Sequence, residues 1–163
     1  MLTDHKEIKK WLDKNKIKKY TIRPDGVVDV DGDVRLYEFK GDRLPVQFGT
    51  VNGKFSFGDS PKISLEGVAE IIHGDLFCHA CELKSYSGVG NLIKQIDGKF
   101  YGDVKTTHAL SLVLIEQVIG GFGIDGEDDS PINVILNRYV GTGDILSAQD
   151  EFIDAGLIDQ ARL

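Results

Sequence analysis

Four segments of the chain repeat one order of apolar and polar positions: an aliphatic residue, a short polar residue, glycine, a charged residue and a second apolar residue. They are VDGDV from Val30, VNGKF from Val51, IHGDL from Ile72 and IDGKF from Ile96. Their glycines, Gly32, Gly53, Gly74 and Gly98, are separated by 21, 21 and 24 residues. Repeats in which a strand is followed by a return path have periods of about 20 to 29 residues. A second register supports the first, because Leu44, Leu65 and Tyr86 each lie twelve residues after a glycine, and Gly67 and Gly88 each lie fourteen after one. Each unit thus has two apolar anchors, and the spacing predicts a short solenoid with one strand per turn over residues 27–104. A glycine inside a strand pattern marks a bend or a close backbone approach, so valine at these positions is expected to harm folding.

Side chains alternate between the two faces of a strand. One face of the predicted strands collects Val30, Val34 and Leu36, then Val51, Phe55 and Phe57, then Ile72, Leu76 and Cys78, and finally Ile96 and Phe100. That face is the expected core. The other receives Arg35, Tyr37, Ser56, Phe77, His79 and Tyr101, an aromatic set for an open surface. Arg35, Tyr37, Phe77, His79 and Tyr101 are therefore the candidate partner-binding residues. The competing reading is that a cap or return segment covers the aromatic rings.

Both ends carry helical periodicity. Residues 3–15 place Ile8, Trp11 and Leu12 on one stripe with lysines elsewhere, an amphipathic helix that closes the first repeat and makes Trp11 a core residue. The Arg23-Pro24-Asp25-Gly26 turn then leads into the first strand. Beyond Asp103 the repeat is lost. Residues 105–119 read as a buried helix, with a strand as the alternative, and 120–129 as a polar glycine-rich loop. Ser130-Pro131 is a helix start signal, followed by Ile132, Ile135, Leu136, Tyr139 and Val140 at helical spacing. Asp144 caps a last helix with Ile145, Ala148, Phe152 and Ile153 inward. The fold class is thus α+β: an N-terminal helix and turn over 1–26, the repeat solenoid over 27–104, and a subdomain of about three helices over 105–163.

The run YTIRPDGVVDVDGDV after WLDKNKIKK, with the repeated VNGKFSFGD and LEGV elements, resembles leucine-rich-repeat-like proteins of tailed bacteriophages. In those proteins such units stack behind a short N-terminal helix. The resemblance covers about residues 10–104 and implies an architecture and a phage origin, with the host cytoplasm as the location. The chain departs from leucine-rich repeats in lacking their asparagine ladder. Gly58-Asp59-Ser60 and His79-Ala80-Cys81 stand in the comparable turns, and the last unit, IDGKFYGDV, is truncated.

Composition narrows the function classes. The 163 residues are 41% hydrophobic, enough for a real core, and carry a formal net charge of −7, which argues against a binder driven by nucleic-acid phosphates. Charge is uneven. Residues 1–20 hold seven lysines against Asp4, Glu7 and Asp13, and residues 116–163 hold ten acids against Arg138 and Arg162. Solvated faces of two caps explain both ends, while an acidic end also suits a nucleic-acid mimic. The longest apolar stretch, 109–119, is broken by Ser111, Glu116 and Gln117 and is far too short to span a bilayer, and no early segment has the make-up of a secretory signal.

Candidate chemistry is sparse. His73, Cys78, His79, Cys81 and Glu82 include a C-x-x-C, but Cys78 falls on the inward face and no second ligand pair follows, so a buried thiol is favoured over zinc. Asp29, Asp31 and Asp33 open like a calcium loop, yet Val34 and Lys40 stand where glycine and glutamate are required. The acidic loop Asp125, Glu127, Asp128 and Asp129 is a candidate acidic surface; it could bind a hard cation weakly, but a solvated loop is the favoured reading. There is no G-x-S-x-G, the histidines at 5, 73, 79 and 108 have no evident nucleophile, and 120–126 lacks the Lys-Ser/Thr ending of a phosphate loop.

With no metal or cofactor called for and no catalytic motif, the sequence leans away from an enzyme. The expectation is a protein-interaction module that binds and modulates, by inhibition, a host or phage protein, with self-association also open. Two alternatives stand beside it: a small enzyme or ligand-binding protein with a site between solenoid and helical cap near His108 and Tyr139, and an acidic nucleic-acid mimic.

Overall fold

Asp4 begins the first helix, its Oδ1 accepting the Lys6 and Glu7 backbone N–H groups at 2.8 and 3.1 Å. Helix α1 (His5–Lys14) buries Ile8 and Leu12 completely. Trp11 is half-buried, its ring centroid 6.4 Å from that of Phe48 and 6.3 Å from that of Phe39. The amphipathic stripe read from the sequence is the one that packs. The computed structural model describes residues 1–37, 39–58, 64–79, 81 and 83–163; Glu82 and the Asp59, Ser60 and Ala80 turn positions lie outside these.

The fold is α+β with two mostly parallel sheets. Each repeated glycine separates two short strands where one continuous strand was expected. β1 (Tyr20–Ile22) is followed by β2 (Val28–Val30) and β3 (Val34–Tyr37) on either side of Gly32, then β4 (Phe48–Val51) and β5 (Phe55–Gly58) about Gly53. β6 (Ile71–Ile72) and β7 (Leu76–Phe77) flank Gly74, and β8 (Gln95–Ile96) and β9 (Phe100–Gly102) flank Gly98. A one-turn helix α2 (Val89–Leu92) lies between β7 and β8. The strand before each glycine joins a six-stranded sheet ordered β1-β2-β4-β6-β8-β10, with β10 at Gln117–Val118, in which only β1 is antiparallel to its neighbour. The strand after it joins a parallel sheet ordered β11-β9-β7-β5-β3, with β11 at Phe122–Ile124.

A glycine is required where the chain crosses from one sheet to the other because successive crossings touch. A β-carbon on Gly53 would stand 2.6 Å from the carbonyl carbon of Gly32, and one on Gly74 would stand 2.6 Å from the carbonyl oxygen of Gly53. The column continues through Gly98 to Gly120, whose β-carbon would meet Gly98 at 2.5 Å, and the Gly98 and Gly120 N–H groups each donate to the preceding glycine's carbonyl at 3.0 Å.

Gly120 was not counted among the repeated glycines, and the segment over 105–119 is not a long helix. It forms a 3-10 helix at Ala109–Leu114 and then β10 (Gln117–Val118), and β11 (Phe122–Ile124) follows Gly120. The six-stranded sheet therefore runs on to Val118 and the five-stranded sheet to Ile124. The Val118-Ile119-Gly120-Gly121-Phe122 run keeps the apolar positions of the repeat but replaces its polar and charged ones, which hid it.

Two α-helices follow. α3 (Pro131–Tyr139) has Ser130 at its N-cap, but the Ser130 hydroxyl is buried and makes no cap bond. α4 (Ile145–Asp154) is capped by Asp144, whose carboxylate accepts from the Ser147 N–H at 3.2 Å. Ala148 and Phe152 are buried as expected, whereas Ile153 is exposed. The stripe of α4 points one residue away from the sequence reading there.

Inside, Val34, Phe55, Leu76, Phe100 and Phe122 form one column of in-register, fully buried side chains. Burying each is worth roughly 1.5–3 kcal/mol relative to exposure, so this column holds the parallel sheet to the core. Phe48 meets Phe55 at 5.3 Å, and Phe100 meets Phe122 at 5.7 Å and Tyr86 at 5.8 Å. The Tyr86 hydroxyl fills the space beside Gly102, accepting from the Asp103 N–H at 2.9 Å. No helix among the described residues is long and apolar enough to cross a membrane.

Candidate functional site

The outer face of the five-stranded sheet carries three rows of side chains fixed by strand register. The first follows the glycines: Asp33, Lys54, Asp75 and Lys99, alternating in sign. Asp33 Oδ1 accepts the Lys54 N–H at 2.9 Å, Lys54 Nζ pairs with Asp75 at 2.9 Å, and Asp75 Oδ1 accepts the Lys99 N–H at 3.0 Å. Lys99 Nζ completes the series by pairing with Asp128. The Lys54 N–H and the Arg35 guanidinium hold the Asp33 carboxyl below its ordinary range. Burial pushes Asp75 up, but the Lys99 N–H and the Lys54 ammonium outweigh it and lower it overall.

The second row is Arg35, Ser56, Phe77, Tyr101 and Gly123, in register across the sheet. Phe77 and Tyr101 stack with centroids 4.6 Å apart and planes 3° from parallel. Lys54 Nζ lies 5.5 Å from the Phe77 centroid and Lys99 Nζ 5.8 Å from that of Tyr101. The two ammonium groups, each tied to a carboxylate, bracket the aromatic pair. His79 adds an edge contact to Phe77 at 6.1 Å.

The third row contains Tyr37 and Gly58. Tyr37 is exposed and leans over the space Gly58 leaves, where a β-carbon would meet its ring at 2.2 Å.

The five sequence-named binding residues thus share one face but fall into two patches. Arg35 and Tyr37 stand on β3; Phe77, His79 and Tyr101 gather around β7 and β9, beyond Ser56 and Gly58 of β5. Among the described residues no cap covers the second patch. It opens onto a groove of about 520 Å³ lined by Phe77, His79, Tyr101, Asp103, Gly123 and Asp125. The acidic loop splits: Asp125 lines this groove, Asp128 holds Lys99, and Glu127 and Asp129 are exposed.

Other candidates are dispersed. Cys78 and Cys81 are buried free thiols, Cys81 Sγ donating to the Cys78 carbonyl at 2.7 Å and Cys78 Sγ to that of Tyr101 at 3.2 Å. The bond with Cys81, and burial, push the Cys78 thiol well up, so it is no nucleophile. His73 pairs with Asp97 at 2.5 Å, in the bends that follow β6 and β8. No group of three His, Cys, Asp or Glu among the described residues is placed to hold a metal. His108 Nδ1 meets Ser85 Oγ at 3.0 Å and Thr107 Oγ1 at 2.7 Å, while the Tyr139 hydroxyl donates to Glu151 at 2.8 Å. These two residues serve separate networks, and the seam beside α3 is packed with Ile132, Asn133, Ile135 and Leu136. Comparison with protein-family models, with curated proteins and with solved structures finds no match.

Proposed function

We propose that the chain is a repeat scaffold, a short solenoid with two strands per turn, that presents the outer face of its five-stranded sheet to a protein partner and modulates that partner by occupying it. The observation that carries this reading is the Phe77–Tyr101 stack. Two aromatic rings stand half-exposed at the wall of an open groove, although the core behind the sheet is complete without them. Stacked, pre-ordered rings lose little side-chain entropy on binding and are the residue types that dominate interface energies.

The groove supplies two carboxylates, an imidazole and aromatic faces, a set suited to recognition. The likeness of the repeats to phage proteins makes a bacterial or phage protein the partner class, met in the host cytoplasm, with inhibition as the outcome. Affinity capture from bacterial lysate at low and high salt tests the reading. One stoichiometric protein retained at both salt concentrations is expected for an aromatic contact; an empty capture overturns it.

A further inference from the structure

The five-stranded sheet ends differently at its two sides. At β11 three outward backbone groups are engaged from α3: Asn137 Oδ1 accepts the Phe122 N–H at 2.9 Å, and Asn133 accepts the Ile124 N–H at 2.9 Å while donating to the Ile124 carbonyl at 3.1 Å. At β3 the Val34 N–H points inward to the Lys54 carbonyl at 2.8 Å. Along a parallel strand the residues alternate in the neighbour they address, so the N–H and C=O groups of Arg35 and Tyr37 face away from β5. Among the described residues the strand order stops at β3, whereas β1 lies antiparallel on β2 at the same end of the other sheet. At four residues β3 is the longest edge strand, against three for β1 and β11 and two for β10.

An open groove of about 550 Å³ runs beside this edge, lined by Lys14, Lys16, Ile17, Asp33, Arg35 and Tyr37. Three cations face one carboxylate, and that carboxylate is engaged by Arg35 at 2.8 Å and by the Lys54 N–H at 2.9 Å.

We propose that β3 accepts an extended acidic segment of a partner protein as an added strand. The ladder groups of Arg35 and Tyr37 supply main-chain hydrogen bonds, and Lys14 and Lys16 meet the acidic side chains of the incoming strand. A second copy of this chain pairing β3 to β3 brings like charges together and is disfavoured. This site is separate from the groove at Tyr101 and does not depend on it.

The test titrates the isotope-labelled full chain with an acetylated, amidated hexapeptide alternating glutamate and valine, and with its lysine–valine counterpart, following backbone amide resonances. The expected result is shifts centred on the Arg35 and Tyr37 amides, with the acidic peptide binding at least about tenfold more tightly, as a few charge contacts would give. Arg35→Pro removes an outward N–H while leaving the Val34 bond to Lys54, a change that edge strands tolerate, and should abolish the shifts. Lys14→Glu with Lys16→Glu reverses the charge without touching the ladder and decides the matter if the proline variant fails to fold. Phe77→Ala with Tyr101→Ala should leave peptide binding intact, which separates this site from the face proposed above. Absence of shifts at millimolar peptide, equal binding of the basic peptide, or shifts centred on Tyr101 overturns the proposal. So does concentration-dependent dimerisation that protects the Arg35 and Tyr37 amides.

Discussion

Asn133 closes the parallel sheet by acting as a strand toward Ile124, accepting its N–H at 2.9 Å and donating to its carbonyl at 3.1 Å. The side chain is fully buried, so no water replaces it. Asn133→Ala strands both groups of Ile124, and at about 1–3 kcal/mol for each buried unsatisfied group the expected loss is about 3 kcal/mol or more. Asn137→Ala frees only the Phe122 N–H beside an exposed side chain and should cost about 1 kcal/mol. Urea unfolding of both variants checks this; equal, small losses would show that α3 does not seal the edge.

The glycine column makes a sharper demand on the core of the fold. A methyl group on Gly74 meets the Gly53 carbonyl oxygen at 2.6 Å, and backbone cannot rotate away as a side chain can. Gly74→Ala should therefore cost at least about 3 kcal/mol, at or above the usual range for overpacking. An unchanged urea midpoint would mean that the crossings are not in contact.

Stability should also fall at acid pH through the charge row. Asp33 and Asp75 are both held below the ordinary carboxyl value of 3.8 in the folded chain. A depressed folded value means that the unfolded chain takes up protons first as pH drops, so this contribution is full above the ordinary value and is lost as pH falls below it. Asp33→Asn and Asp75→Asn should each flatten the loss of stability as pH falls below about 4. Identical acid limbs in variant and wild type would assign the loss to other groups.

Cys78 and Cys81 are packed and bonded to backbone carbonyls. A thiol reagent such as dithionitrobenzoate should label neither in the native state and both in denaturant. Rapid native labelling of Cys81 would place that turn in solvent.

Much of this was legible in the chain. The repeat register, the glycine contacts, the cap at Asp144 and the outward aromatic row all follow from spacing and alternation. Two features were not. The bend at each glycine splits one apparent strand into members of two sheets, and side-chain alternation continues across the bend, so the pattern of Val30, Val34 and Leu36 is the same either way. The last unit was missed because Ile119 and Gly121 occupy positions that are polar and charged elsewhere, and because residues 109–113 are all buried and so have no periodicity to read. The sealing role of Asn133 and Asn137 was visible only as two asparagines four residues apart on α3, a signal that means nothing until a strand edge is known to lie opposite.

The binding face is tested most directly by the affinity of the captured partner for wild type and for the Phe77→Ala, Tyr101→Ala double variant, at matched thermal stability. Both rings lie outside the core, so the variant should fold. Interface aromatic anchors carry about 2 kcal/mol or more, and the expected result is a loss of at least about 30-fold in affinity. An affinity equal to that of wild type contradicts the assignment of this sheet face as the binding surface.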